Sequence, residues 1–175
     1  MRFIDRLREA QQQNDSWLCV GLDPNRELLP PGVPLETFCK TVIDATIDYV
    51  CAFKFNLAFF LTHGAEGYAA LINVMASVPE HIPVILDAKF GDIDYTAQQH
   101  VRITFEVVKA QAVTLTPYVG IEAIMPFLQN PESMVLVLVR SANRLGNDFQ
   151  TWPSSESPLF RYVTSEINTL EQQYP

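Results

Sequence analysis

Val84-Ile85-Leu86-Asp87-Ala88-Lys89-Phe90-Gly91-Asp92-Ile93 opens as a buried strand and closes in charge. Ile82, Val84, Ile85 and Leu86 are apolar and mostly β-branched, the composition of a core strand. Side chains on a strand alternate between faces. Asp87 and Lys89 are therefore expected on one face, and Leu86 and Ala88 on the other. A carboxylate and an ammonium on a core strand are costly unless paired or used. Asp92 lies beyond Gly91, where the chain must already be turning, so it is expected to aim away from its own Lys89. The ordinary structural reading is a strand-end ion pair, followed by Asp92 or Asp94 capping a helix that begins near Ile93.

The rest of the chain limits what this stretch can belong to. A chain of 175 residues suffices for one domain with a real core, and 1–175 reads as a single domain. Hydrophobic content of 48% and charged content of 18% fit a globular protein, and no apolar run reaches a membrane span. Met1 to Asn14 reads as a short amphipathic helix without a signal-peptide core. Cys19, Cys39 and Cys51 sit in apolar runs without metal-type spacing. All three read as reduced core residues, and the chain as cytoplasmic. A net charge of −8 argues against a nucleic-acid surface, yet not against an anionic substrate met by a local cluster of cations.

Periodicity then divides the chain. Strands are predicted at Ser16–Leu22, Tyr49–Phe55, Ile82–Lys89, Ala112–Thr116 and Met134–Arg140, the last fully buried. Helices are predicted over Leu35–Asp48, Gly64–Ser77, Ile93–Lys109, Ile121–Leu128 and Pro158–Glu171. Ser141 to Ser157 reads as a polar loop. Five βα units imply a parallel sheet with helices outside. A doubly wound sheet fits the length, whereas a (β/α)8 barrel normally needs about 250 residues. The polar residues favour the barrel. Asp23, Lys54, Asp87 with Lys89, and Arg140 with Ser141 fall at the C-terminal ends of successive strands, where barrels build their sites. The first turn, Gly21-Leu22-Asp23-Pro24, also lacks the glycine-rich phosphate loop of a doubly wound fold.

Asp87-Ala88-Lys89-Phe90-Gly91-Asp92-Ile93, with Thr96 following, resembles the Asp-x-Lys-x-x-Asp-Ile-x-x-Thr signature of the orotidine 5′-monophosphate decarboxylase family. Val20-Gly21-Leu22-Asp23-Pro24, Phe53-Lys54-Phe55-Asn56 and Thr116-Pro117-Tyr118-Val119-Gly120 resemble that family's first, second and fourth strand ends. Arg140-Ser141-Ala142-Asn143, then Asp148-Phe149-Gln150, resembles the fifth-strand loop of the longer bacterial-type members. The resemblance runs from Phe3 to about Gln150 with the motifs in order. It implies a (β/α)8 barrel of which about five units lie in this chain. The family continues through three more units, including a Pro-Gly-x-Gly segment and an Arg that hold the substrate phosphate, so the chain is expected to be incomplete and weakly active.

The resemblance also implies a reaction: orotidine 5′-monophosphate gives UMP and CO2, in pyrimidine biosynthesis, without metal or cofactor. Loss of CO2 leaves a carbanion in the ring plane, which the π-system cannot delocalise. An ammonium at that carbon stabilises the charge and then delivers a proton. Lys89 is the candidate, with Lys54, Asp87 and Asp92 completing an alternating array. Flanking carboxylates favour the charged ammonium. Asp23 is implied at a ribose hydroxyl, with Asn56, Ile93, Thr96 and Ser141 as further substrate contacts; Ala142 is the alternative to Ser141 at the pyrimidine. Asp92 and Thr96 are implied to come from a second subunit, hence a homodimer with shared sites.

Three rivals remain open at this stage. A Mg²⁺-dependent sugar-phosphate decarboxylase or aldolase of the same superfamily would need carboxylates arranged for octahedral ligation. The others are a non-catalytic remnant and an unrelated doubly wound nucleotide-binding module. His63, His81 and His100 read as surface or helix-end residues, and Trp152 and Phe160 as packing. Arg140 reads equally as a strand-end ion pair or a ligand contact.

Overall fold

The computed structural model describes residues 1–174. Strands β1 (Cys19–Leu22), β2 (Ala52–Asn56), β3 (Val84–Phe90), β4 (Ala112–Leu115) and β5 (Met134–Val137) form one sheet. The helices are α1 (Phe3–Gln13), α2 (Leu35–Thr46), α3 (Leu57–Leu61), α4 (Gly64–Ser77), α5 (Asp94–Arg102), α6 (Asn147–Gln150) and α7 (Leu159–Gln173). The strands lie in chain order, β1-β2-β3-β4-β5, and every neighbouring pair is parallel. That order separates the two candidate architectures. A doubly wound sheet reverses at a switch point. Here no reversal occurs, so successive right-handed crossovers stack their helices on one face. The other face is the concave lining of a barrel wall.

Register and alternation assign each strand residue to one face. Phe53, Phe55, Val84, Leu86, Val113 and Leu115 face the helices and are buried, Phe53 and Phe55 completely. Gly21, Lys54, Asn56, Ile85, Asp87, Thr114 and Leu136 share the concave face. The apolar energy therefore comes from the helix side, at about 1.5–3 kcal/mol per large side chain. The concave side is free to carry polar groups.

Helix α1 closes the N-terminal end of the sheet. The Phe3 N–H donates to the Glu132 carbonyl, 2.8 Å away and just ahead of β5. At the other end Asn14 Nδ2 donates to the carbonyls of Ile47 and Val50, at 2.9 and 2.8 Å, just ahead of β2. Eleven helical residues span about 16 Å, close to the roughly 14 Å of three strand spacings. Phe3 and Ala10 are its buried anchors.

Several elements differ from the sequence expectation. The first strand starts at Cys19, and Trp17 is 85% exposed. Cys19 is exposed rather than a core residue, because it lies on the concave face of an edge strand. Cys39 and Cys51 are buried, and all three thiols are free. The fifth strand is neither fully buried nor seven residues long. Leu136 on its concave face is exposed, since β4 is its only neighbour among the described residues. The long helix expected over Ile93–Lys109 becomes α5 followed by a wide π-turn at Ile103–Val107. There the Thr104 hydroxyl donates to the His100 carbonyl at 2.7 Å. Two short 3-10 turns, Ile121–Ala123 and Met125–Gln129, replace the single helix expected there. Helix α3 was not expected. Its five residues, Leu-Ala-Phe-Phe-Leu, are too few to show a period.

Gly91 follows β3 where the chain runs close against the end of β4. The Thr116 N–H donates to the Phe90 carbonyl at 2.7 Å, which brings the two backbones together beside Gly91. A Cβ at Gly91 would stand 2.7 Å from the Thr116 carbonyl oxygen, against backbone that cannot swing aside. Gly91→Ala is therefore expected to lower stability by roughly 1–3 kcal/mol, the usual cost of overpacking. Urea unfolding measures it. An unchanged midpoint with unchanged slope would show that the two strand ends have slack.

Candidate active site

Three adjacent strands meet at one carboxylate. Asp87 on β3 is buried, and both of its oxygens accept hydrogen bonds. Lys54 Nζ on β2 donates to Oδ2 at 3.0 Å. Lys89 Nζ and the Thr114 hydroxyl on β4 donate to Oδ1, at 2.5 and 2.8 Å. Pairing of Asn56 with Asp87 places Lys54 one step lower on the same concave face, so its four-carbon stem reaches up to the acid. Burial pushes the Asp87 carboxyl up. Hydrogen bonds from Lys89, Thr114 and Lys54, together with the Lys54 charge, outweigh it and hold the carboxyl down at about 2.

Lys89 shares the Asp87 side of the sheet, though not by simple alternation. The register slips between Leu86 and Phe90, forming a bulge, and Lys89 has a φ of +50°. That is left-handed backbone, rare for a residue other than glycine. The bulge is tied down locally, since the Lys89 N–H donates to Thr114 Oγ1 at 2.9 Å. Thr114 thus holds both the backbone and the carboxylate partner of Lys89. The Lys89 side chain is 50% exposed, against 32% for Lys54 and 8% for Asp87. The cluster opens to solvent through Lys89.

The other sequence-predicted residues fall around this centre. Asp23 is exposed just past β1. A Cβ on Gly21 would lie 3.3 Å from Asp23 Oδ2 and 3.9 Å from Lys54 Nζ, so both groups converge over that glycine. Asn56 ends β2 beside Asp87. Asp92 does not join the cluster. Its Oδ1 accepts from the Ile93 N–H at 2.8 Å, and it makes no ion pair with Lys89 among the described residues. Neither Asp92 nor Asp94 caps α5 through its side chain. Ile93 and Thr96 are exposed at the start of α5, beside the exposed Tyr95. Ser141 stands apart beyond β5, held at two points by Gln150, whose Nε2 donates to its Oγ at 2.9 Å and whose Oε1 accepts from its N–H at 3.1 Å. Arg140 forms no ion pair among the described residues. It lies over the Phe160 ring, 4.9 Å from the centroid, and donates to Asn147 Oδ1 at 3.3 Å. Trp152 is exposed rather than packed.

Sequence reasoning missed Thr114, Gln150 and His100. Thr114 carried a readable signal: a hydroxyl at an alternate position of an otherwise apolar strand. Gln150 stood in the Asp148-Phe149-Gln150 motif, but its tie to Ser141 was not read. His100 is not a free helix-end residue. Its ring stacks on Phe90 at 4.0 Å and 5°. Burial pushes its pKa down, opposed by the charge of Asp92.

Because folding lowers the Asp87 pKa from 3.8 to about 2, its stabilisation is complete above about pH 4 and fades as pH falls toward 2. The sum is roughly 2 kcal/mol, less whatever screening the half-exposed Lys89 admits. Asp87→Asn is expected to flatten that part of the acid limb in a series of urea melts. An identical acid limb in both proteins would remove the ion-pair account of Asp87.

Comparison with known proteins fits this geometry. Residues 16–163 match the model of the "Orotidine 5'-phosphate decarboxylase / HUMPS family". An orotidine 5′-phosphate decarboxylase of Thermomicrobium roseum is 42% identical, over 99% of this chain and 64% of the relative. One of Herpetosiphon aurantiacus is 41% identical, over 99% of this chain and 75% of the relative. The structure of the Leishmania donovani OMP decarboxylase superposes with a TM-score of 0.83 at 39% identity, over 93% of this chain and 63% of that one. The chain thus spans about 64% of the Thermomicrobium relative's length. A barrel wall wound in chain order, with a lysine–carboxylate cluster at its C-terminal edge and relatives of this kind along nearly all of its length, belongs to the orotidine 5′-phosphate decarboxylase / HUMPS family.

Proposed function

We propose that a full-length protein built on this chain decarboxylates orotidine 5′-monophosphate to UMP and CO2. The observation that carries the reading is Asp87 held between Lys54 and Lys89. A carboxylate whose oxygens are taken by two ammoniums and a hydroxyl suits an anionic substrate better than a divalent cation, which needs free oxygen ligands. That favours decarboxylation over a Mg²⁺-dependent sugar-phosphate reaction.

In this reading the bond from the pyrimidine ring to its carboxylate breaks, CO2 leaves, and the electron pair stays on the ring carbon. The Lys89 ammonium faces the developing charge and is worth most once solvent is excluded. It then gives its proton to that carbon and regains one from solvent. Asp87 holds Lys89 in place, and Lys54 balances Asp87 from the far side. Asp23 and Asn56 line the ribose side, and Ser141, presented by Gln150, faces the pyrimidine. The substrate phosphate is held by a part of the full-length protein outside these five βα units. No metal or organic cofactor takes part.

The same reading makes the active form a cytoplasmic homodimer. Asp92 forms no ion pair with Lys89 among the described residues, and Ile93, Tyr95 and Thr96 lie exposed beside it. Such an apolar edge next to a reactive cluster suits a second subunit. Asp92 and Thr96 then complete the neighbour's site.

Two measurements test the proposal. In the full-length protein, Lys89→Ala is expected to lower turnover of orotidine 5′-monophosphate by more than about 1000-fold, the combined scale of a lost proton donor and a lost charge, while UMP still binds by calorimetry. Turnover within tenfold of the parent would falsify the assignment of Lys89. Mixing Lys89→Ala with Asp92→Ala protein and allowing subunits to exchange is expected to restore activity, because one site of each mixed dimer is then intact. Absence of recovery, with exchange verified by native mass spectrometry, places Asp92 in its own subunit's site.

A further inference from the structure

Lys89 needs a reason to stay where it is. Its backbone is left-handed, and the strand register slips around it. Such strain of about 1–3 kcal/mol persists only where the surroundings over-determine it. Two ties are polar: the Lys89 N–H to Thr114 Oγ1, and the Phe90 carbonyl to the Thr116 N–H. The third is not. The Phe90 ring, one residue after Lys89, lies parallel to the His100 ring at 4.0 Å and 5°. His100 sits on α5, and its carbonyl accepts the buried Thr104 hydroxyl, which anchors that turn of helix. Its Nδ1 is buried without a hydrogen-bond partner among the described residues. A buried imidazole nitrogen left unpaired is costly. The contact its ring does make is its face against Phe90.

We propose that His100 is a positioning residue: through the face of Phe90 it holds the end of β3 against α5 and so fixes the Lys89 ammonium over the site. Its kinetic consequence rests on the decarboxylase reading. The clamp itself does not. The stack needs a flat ring at position 100 and neither of its nitrogens, so phenylalanine replaces histidine there and an aliphatic side chain of similar bulk does not.

The test compares His100→Phe with His100→Leu in the full-length protein. Hydrogen exchange of the peptide spanning residues 84–93 reads the clamp without any assay of activity. His100→Leu is expected to speed exchange at Lys89 to Gly91, and His100→Phe to leave it at the parent rate. Steady-state kinetics are expected to show kcat down about tenfold in His100→Leu with KM within about twofold, and His100→Phe within about threefold of the parent, the scale of a sub-ångström misplacement of a reacting group. Thermal midpoints are recorded alongside. Phe90→Leu reads the same stack from the other side, so the clamp is still tested if His100→Leu fails to fold. Matching exchange and kcat in the Leu and Phe variants overturns the proposal. So does a drop in midpoint for His100→Leu with kcat unchanged. A parent protein that does not turn over orotidine 5′-monophosphate removes the decarboxylase reading, while the exchange data still decide the stack.

Discussion

One buried carboxylate sets the terms for this structure. Asp87 loses its hydration in the barrel wall, and an isolated charge there would be intolerable. Lys54 from β2, Lys89 within the bulge of β3 and Thr114 from β4 replace that hydration. Each partner comes from a different segment, so the acid is satisfied only when three strands are in register. Assembly of the wall and assembly of the site are therefore one event. Removing a single partner leaves a buried charge short of a donor, which costs more than the pair is worth when intact.

The two faces of the sheet divide the labour. The helix side is packed with Phe53, Phe55, Leu86, Val113 and Leu115 and carries no charge. The concave side gives up packing at Gly21, Lys54, Asp87 and Thr114. Overall the chain is acidic, with a net charge of −8. At the cluster two ammoniums face one carboxylate. Fields from distant charges are screened within about 10 Å, whereas a desolvated cluster is felt in full. An acidic protein can in this way present a cationic face to an anion.

Much of the fold was legible from periodicity, and its limits are physical. Helix α4 occurs where its pattern predicted, over Gly64–Ser77, because fourteen residues show a period clearly. The barrel was readable from where polar residues ended strands, although strand order itself leaves no local mark. The cluster of Lys54, Asp87 and Lys89 was visible as charge at strand ends. The bulge was not, because alternation alone already placed Asp87 and Lys89 together and so gave the right neighbours by a simpler route. Thr114 showed as a hydroxyl on an apolar strand, but its partner on β3 lies far off in sequence, and Gln150 acts through a loop contact back to Ser141 that has no regular period. Position 100 looked like a helix-end histidine because the partner of its ring lies ten residues back, around a turn.

The positive φ angles separate ordinary geometry from function. Asp15, Lys89 and Lys109 all carry one, at 44°, 50° and 56°. Asp15 follows the C-cap of α1, and Lys109 follows the C-cap of the π-turn. A left-handed residue is the common way for a helix to end, and it satisfies terminal carbonyls. Those two positions need no further account. Lys89 ends no helix. It sits inside a strand, where an L-residue gains nothing from φ above zero. Local rules that fail without a local benefit tend to mark functional positions. Here the failure lifts the ammonium out of the pleat while its amide stays tied to Thr114 and its charge to Asp87. A straight strand would also set that lysine on the concave face, perpendicular to the sheet; on the bulge it keeps that face, its side chain half exposed while its charge stays on Asp87.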